Sequence, residues 1–209
     1  YLEQLGFTCV RITRRPELIP AYADSTRHLH ETEAELDRVA FAHSIDNSGS
    51  IGSVGTISSS GRTAFGGAGA IGMQQGAQGT AGANALFDNG GTIAVLASAE
   101  AEGEVGAFVN ATAFGAAQNI QSDGTASASI ANSGTIDIRA VASAVAGDTA
   151  TFDMAMAFAD AHGLGQLAEG QQALVEFDNS GTFQLLAEGD AAAGDFALAS
   201  ATASGVIQQ

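Results

Sequence analysis

Hydrophobic and polar residues alternate along most of the chain after residue 40, and many of the apolar positions hold alanine. One side of the segment 92–102 carries Ile93, Val95, Ala97, Ala99 and Ala101. The opposite side includes Thr92, Ser98, Glu100 and Glu102. A period of two is typical of a strand, whereas a helix requires apolar positions three and four residues apart. The alternation therefore predicts strands, although alanine itself favours helices.

Two polar markers recur in phase with this alternation. Asn-x-Gly occurs four times, at Asn47, Asn89, Asn132 and Asn179. The pattern Ala-x-x-x-Ala-x-Ala-x-Gly-x-x-Gln also occurs four times, and it ends at Gln75, Gln118, Gln166 and Gln208. One strand is predicted before each asparagine and two after it. The chain therefore contains about four repeats of roughly 43 residues, each with three strands.

A unit of this size cannot bury its apolar face alone, and stacking on an identical neighbour solves the problem. We therefore predict an all-β protein, a β-solenoid (parallel β-helix) with internal asparagine and glutamine ladders. The glycine after each asparagine predicts a corner with positive φ. Inward alanines should bring facing sheets closer than the usual spacing of about 10 Å and leave no room for a ligand. The alternative is an antiparallel meander, in which the three strands of one repeat pair with each other.

Residues 1–39 do not share the repeat, which we place at 40–209. They predict a short strand followed by a helix, forming either an N-terminal cap or a segment unrelated to the repeats. Cys9 is the only cysteine, so no internal disulfide can form. The chain does not begin with Met, and we therefore expect a fragment or a processed piece.

The charge of the chain restricts its partners. Lysine is absent, 7 arginines face 23 acidic residues, and the net charge is −16. Such a chain repels nucleic acid and anionic lipid. No apolar run reaches the ~18 residues that a membrane-spanning helix needs. The composition suits an extracellular or cell-surface location.

Candidate chemistry is sparse. The one cluster with a metal-like composition is His28, His30, Glu31 and Glu33. Residues two apart on a helix do not share a face, so we interpret this cluster as a solvated surface. His43 and His162 stand singly in predicted strands, and the glycine-rich segment 66–72 lacks the lysine of a phosphate loop. We predict no catalytic residues, no metal and no cofactor.

Three of the repeats carry a resemblance to known proteins. The segments "DNGGTIAVLASAEA", "ANSGTIDIRAVASA" and "DNSGTFQLLAEGDA" resemble repeats of haemagglutinin-like and autotransporter-type surface proteins of Gram-negative bacteria. The resemblance covers residues 40–209. It implies a right-handed parallel β-helix displayed at the cell surface.

Together these observations predict an extracellular structural or adhesive protein, part of a bacterial surface or matrix fibre. Its partners would be a host or matrix surface, or further copies of itself stacked head to tail. One alternative is a subunit of a self-polymerising, functional-amyloid-like filament, favoured by the in-phase asparagines and glutamines. A second alternative is an ice-binding solenoid, because Ser50, Thr92, Thr135 and Thr182 predict a column of hydroxyls.

Overall fold

A computed structural model describes residues 41–147 and 153–209, which are all-β with parallel strands. The strands are β1 (Phe41–Asn47), β2 (Ser50–Gly79), β3 (Gly82–Asn89), β4 (Thr92–Ser122), β5 (Thr125–Asn132), β6 (Thr135–Ala146), β7 (Met154–Glu169), β8 (Gln172–Asn179), β9 (Thr182–Ala192) and β10 (Phe196–Gln208). No helix occurs within these two ranges. The predictions for residues 1–39, including the cap, the helix, Cys9 and the His28–Glu33 cluster, lie outside the described residues.

Each strand pairs with its counterpart in the adjacent repeat. One sheet has the order β1-β3-β5-β8, and every pair in it is parallel. In the other sheet β4 pairs with β2 along its length, its first part with β6 and its second part with β7. β6 then pairs with β9, and β7 with β10. The alternative of an antiparallel meander is therefore wrong, because strands that are neighbours in the chain do not form the sheets.

The prediction of three strands in every repeat holds only in part. In the first two repeats the second and third predicted strands form one continuous strand, β2 or β4. In the last two repeats they are separate, β6 with β7 and β9 with β10. In the third repeat the separation follows from sequence length, because extra residues are inserted after Ala146, whereas Gly103 and Gly106 of β4 are only three residues apart. The fourth repeat divides β9 from β10 without such an insertion.

The inward side of the alternation forms the core. Ile93, Val95, Ala97 and Ala99 are 0–2% exposed, and the outward residues between them are half-buried or exposed. Parallel register aligns these positions between repeats, so that Ile93 lies beside Ile136 and Ala97 beside Ala140. The side assignment made from the alternation agrees with the observed burial.

The layers on either side of this core approach each other closely. A Cβ added to Gly189 would lie 2.9 Å from the carbonyl oxygen of Ser200, and one added to Gly55 would collide with the carbonyl of Gly69. Gly189 lies in β9 and Ser200 in β10, while Gly55 and Gly69 lie in the first and second parts of β2. Both contacts therefore join the two consecutive segments of one repeat that face each other. Small inward side chains are therefore required where these layers face each other.

The prediction of positive φ at the corner glycines is wrong. Among the described residues only Gly61 has a positive φ, at 155°. The glycines instead provide space between stacked repeats. A Cβ on Gly91 would collide with the carbonyl oxygen of Gly49, one on Gly134 with that of Gly91, and one on Gly181 with that of Gly134.

Candidate functional site

The asparagine at the end of each first strand points into the interior and bonds to the next asparagine. The Nδ2 of Asn47 donates to the Oδ1 of Asn89 at 2.7 Å, that of Asn89 to Asn132 at 2.6 Å, and that of Asn132 to Asn179 at 2.6 Å. Asn89 and Asn132 are almost completely buried. The register explains the series, because Asn47, Asn89, Asn132 and Asn179 are direct partners in parallel strands. The four asparagines predicted to form a ladder thus lie in one column.

Backbone hydrogen bonds reinforce this corner at every step. The amides of Gly90 and Gly91 donate to the carbonyl of Asn47 at 2.9 and 2.8 Å, and the amide of Thr92 donates to Gly49 at 2.8 Å. Equivalent bonds link the next two pairs of repeats. The Nδ2 of Asn47 also donates to the carbonyl oxygen of Thr92 at 3.3 Å. The Nδ2 atoms of Asn89 and Asn132 make the same bond, at the same distance, to the next two threonines of this column. The corner therefore satisfies its buried amides with the same set of partners three times.

The glutamines form a second column. The Nε2 of Gln118 donates to the Oε1 of Gln75 at 2.8 Å, that of Gln166 to Gln118 at 2.9 Å, and that of Gln208 to Gln166 at 3.0 Å. Gln75, Gln118 and Gln166 are buried.

The glutamine column also connects the two sheets. The Nε2 of Gln75 donates to the carbonyl of Leu86, that of Gln118 to Ser129, and that of Gln166 to Glu176, at 3.2, 3.1 and 3.0 Å. The acceptors lie in β3, β5 and β8, whereas the glutamines lie in β2, β4 and β7. Neutral amides neither titrate nor attack substrates, so the two ladders provide cohesion and no acid–base chemistry.

Sequence reasoning missed the role of the glycine that lies three residues before each glutamine of the ladder. In β7 both Gly163 and Leu164 are buried, so the alternation shifts by one residue there. A Cβ on Gly163 would lie 2.6 Å from the ring of Phe183, and one on Gly72 would lie 2.7 Å from Val95. The glycines thus leave space for bulky side chains across the interior. The available signal was the three-residue step from glycine to glutamine, which breaks a period of two.

The hydroxyl column considered for ice binding lies on the outer surface. Parallel register aligns Ser50, Thr92, Thr135 and Thr182. The next outward column holds Gly52, Ala94, Asp137 and Gln184. Within the described repeats, the hydroxyl column therefore has no neighbouring hydroxyl column on that side.

Few charged groups of the described segments interact closely. The Nη2 of Arg139 lies 2.8 Å from Asp137 on the outer surface. Hydrogen bonding to Asp137, and then the charge of its carboxylate, raise the pKa of Arg139 above its ordinary value. Asp153 is buried, and neither of its carboxylate oxygens has a hydrogen-bond partner within the described part of the chain.

Within residues 41–147 and 153–209, no three His, Cys, Asp or Glu side chains come together as a metal-binding group. The ring of His162 stacks on Phe114, with the centroids 4.5 Å apart. In the same ranges no helix combines the length and the apolar character needed to cross a bilayer.

The repeated ladders are the feature that any functional interpretation has to explain. They occupy equivalent positions in all four repeats. Each asparagine donates to the following repeat, whereas each glutamine donates to the preceding one. Comparison of the chain with protein-family profiles, curated proteins and solved structures finds no match.

Proposed function

We propose that residues 41–209 form a segment of a β-solenoid that acts outside the cell, as a structural or adhesive part of a bacterial surface or matrix fibre. The observation that carries the proposal is the repetition of both amide ladders at each step between repeats. Buried, saturated ladders hold the stack together along one axis. Such a design favours a stiff scaffold over a site that must open and close.

The charge of the outer surface supports this proposal. The outward side chains of β3, β8 and β1 include Asp46, Asp88, Glu176 and Asp178, all exposed. Acidic outer surfaces keep a repetitive β-protein soluble and discourage uncontrolled association between sheets. The resemblance of the repeats to haemagglutinin-like and autotransporter-type surface proteins points to the same class of function.

Adhesion of the purified full chain tests this function. The labelled protein would be applied to immobilised extracellular-matrix proteins, to bacterial cells and to a bare hydrophilic surface. We expect saturable binding to at least one biological surface, competed by unlabelled protein. The control is the same protein carrying Asn132→Ala, compared below its own melting temperature, because a ladder change should lower stability without removing the outer surface. Absence of saturable binding, with no incorporation into cell-surface fibres, would overturn the proposal.

A second candidate, a self-polymerising filament subunit, is favoured by the uneven coverage of the two ladders. Asn179 and Gln208 occupy the last described rung and are exposed, and the inward Phe183 and Leu185 are only half-buried. A further repeat, from this chain or from another copy, would continue both ladders over this rung. Stacking of copies in one direction does not close and therefore grows a filament.

Light scattering at increasing concentration tests the filament, followed by fibre diffraction. We expect concentration-dependent growth and an axial reflection at about 4.8 Å. Deletion of residues 1–39 should accelerate growth if that segment acts as a cap. Asn179→Asp should slow growth by placing a charge at the end of the ladder, and Ser180→Asp is the matched control. A protein that stays monomeric with and without residues 1–39 excludes this candidate and leaves the adhesive one standing.

A further inference from the structure

The outer side of one layer is apolar and aromatic. We call the outward side chains of residues 63–71, 106–114, 154–162 and 196–204 the aromatic face. Register places Phe65 beside Phe108, then Met156 and Leu198, in one column. The large exposed side chains of this face are Phe65 at 67%, Ile71 at 55%, Phe114 at 41%, Phe196 at 44% and Leu198 at 39%. One largely polar column, Gly69, Thr112, Asp160 and Thr202, crosses this face between Phe65 and Ile71. Exposed apolar side chains of this size on one face mark an interaction surface.

The aromatic face carries fewer acidic side chains than the two other outer surfaces of the repeats. Its four segments contain one acidic residue, Asp160, and no lysine or arginine. The outer side of the β1-β3-β5-β8 sheet carries four acidic residues. The layer formed by 50–61, 92–103, 135–146 and 182–192 carries five, which are Glu100, Glu102, Asp137, Glu188 and Asp190. Two copies of so acidic a chain would repel each other through either of those surfaces, and far less through the aromatic face.

The aromatic face contains both a projection and a recess. The rings of Phe65 and Phe108 stack with their centroids 5.0 Å apart and their planes 13° from parallel. Beside them lies an open groove of about 350 Å³, lined by Phe65, Gly66, Gly67, Phe108, Val109, Asn110 and Phe158. Gly67 leaves the groove open, since a Cβ built there meets no atom within 4 Å. A ring from outside can therefore enter beside the stack.

We propose that the aromatic face binds the aromatic face of a second copy of this chain in a twofold-symmetric, side-by-side dimer. A twofold interface uses the same patch on both molecules, so a projection and a recess must lie on one face. The Phe65–Phe108 stack of each copy then fills the groove over Gly67 of the other. Burial of aromatic rings supplies the free energy of association.

The size of the face indicates a reversible dimer. Nine extended residues span about 30 Å and four rungs about 19 Å, from spacings of ~3.3 and ~4.8 Å. Each copy would then contribute about 570 Å², which puts the total near the lower limit for a specific interface of roughly 1,000 Å². The contact is lateral and leaves the strand edges of the end repeats free. It therefore does not depend on the proposed adhesive function.

Sedimentation velocity of the full chain over a wide concentration series tests the dimer. We expect a reversible equilibrium between monomer and dimer with no larger species. Gly67→Glu should place a carboxylate in the groove and weaken dimerisation at least tenfold. Gly52→Glu is the matched control, because Gly52 also has no atom within 4 Å of an added Cβ and lies outward on the other layer of the same repeat. Its dimerisation constant should equal that of the wild type.

A second pair of variants guards against loss of folding. Phe65→Ser should also weaken the dimer at least tenfold, while Val54→Ser should not, although Val54 is 70% exposed and Phe65 67%. Circular dichroism and melting temperature should match between the members of each pair. A wild-type protein that stays monomeric throughout the series overturns the proposal. So does growth beyond the dimer with rising concentration, or an equal effect of Gly67→Glu and Gly52→Glu.

Discussion

Two parts of the same core reach complete burial by opposite means. The bulky corner, formed by Phe87, Ile93, Ile130 and Ile136 beside the asparagine ladder, fills a wide space with large side chains that are 0% exposed. The alanine end, formed by Ala99, Ala101, Ala142, Ala144 and Ala155, is equally buried with methyl groups alone. Burial fraction by itself therefore says little about how a position responds to substitution, because the distance between the layers decides it.

The comparison predicts opposite sensitivities. In the bulky corner, removal of atoms leaves a cavity whose lining loses contacts. At the alanine end, removal costs little because each side chain contains a single methyl group, while addition has nowhere to go. The glycine column next to the glutamines belongs to the bulky corner in this sense, since Gly163 gives space to Phe183.

The largest effect should come from truncation in the bulky corner. Phe87→Ala should lower the free energy of unfolding by ~3–5 kcal/mol, because a fully buried ring is lost from the space between two sheets. Denaturant unfolding followed by circular dichroism measures it. Leu86→Ala is the control, since Leu86 precedes it on the same strand but is 46% exposed. Equal losses for the two variants would show that the corner is not tightly filled.

Enlargement at the alanine end should be the next largest effect. Ala142→Leu adds three carbons between closely spaced layers and should cost ~1–3 kcal/mol, or more if the backbone cannot move. The outward Ser143→Leu should be much milder, because Ser143 is only half-buried. Thermal melts of the two variants provide the measurement. If both lower the melting temperature equally, the assignment of inward and outward sides at this end is wrong.

A break in the asparagine ladder should cost less than the loss of Phe87. Asn132→Ala leaves Asn89 without its side-chain acceptor and Asn179 without its donor. A buried group left unsatisfied costs ~1–3 kcal/mol, and we expect the lower end because Asn89 keeps the carbonyl of Thr135 within reach. Unfolding curves should show a smaller effect for Asn179→Ala, since Asn179 is exposed. A larger loss at Asn179 would contradict the ladder as the source of stability.

The smallest effect should come from the outer surface. Arg139→Gln removes the exposed ion pair with Asp137 on the same strand as Ile138 and Ala140. Water competes for both groups, so the melting temperature should stay within experimental error. Hydrogen bonding to Asp137 and the charge of its carboxylate raise the pKa of Arg139, so the guanidinium itself stays charged and adds no pH dependence to the melting temperature around neutral pH. A marked drop in melting temperature would contradict the expectation that the stability of this strand comes from its buried side and not from its outer side.

The sequence alone determined the features that repeat. Asn89 and Asn132 recur in phase with Gln118 and Gln166, and the period of two around Ile93 and Ile136 assigns their sides. The regular spacing of these residues can be read from the sequence alone. Identical units that stack in register must place equivalent residues side by side, so the spacing also predicts which residues become neighbours. For this reason the all-β class, the parallel pairing of equivalent strands and the buried side of each strand followed from the sequence.

Only the tertiary structure decided where glycine is needed to make room for a neighbouring segment and where a groove opens on the surface. The corner glycines are required by the approach of Gly91 to Gly49, and the shift of alternation at Gly163 and Leu164 makes room for Phe183. The groove over Gly67 likewise exists because Phe65, Phe108 and Phe158 come together from three repeats. These features depend on distances between residues about 20 to 90 positions apart in the chain. Local periodicity carries no information about such distances, since it reports which side a residue faces and not what it meets there.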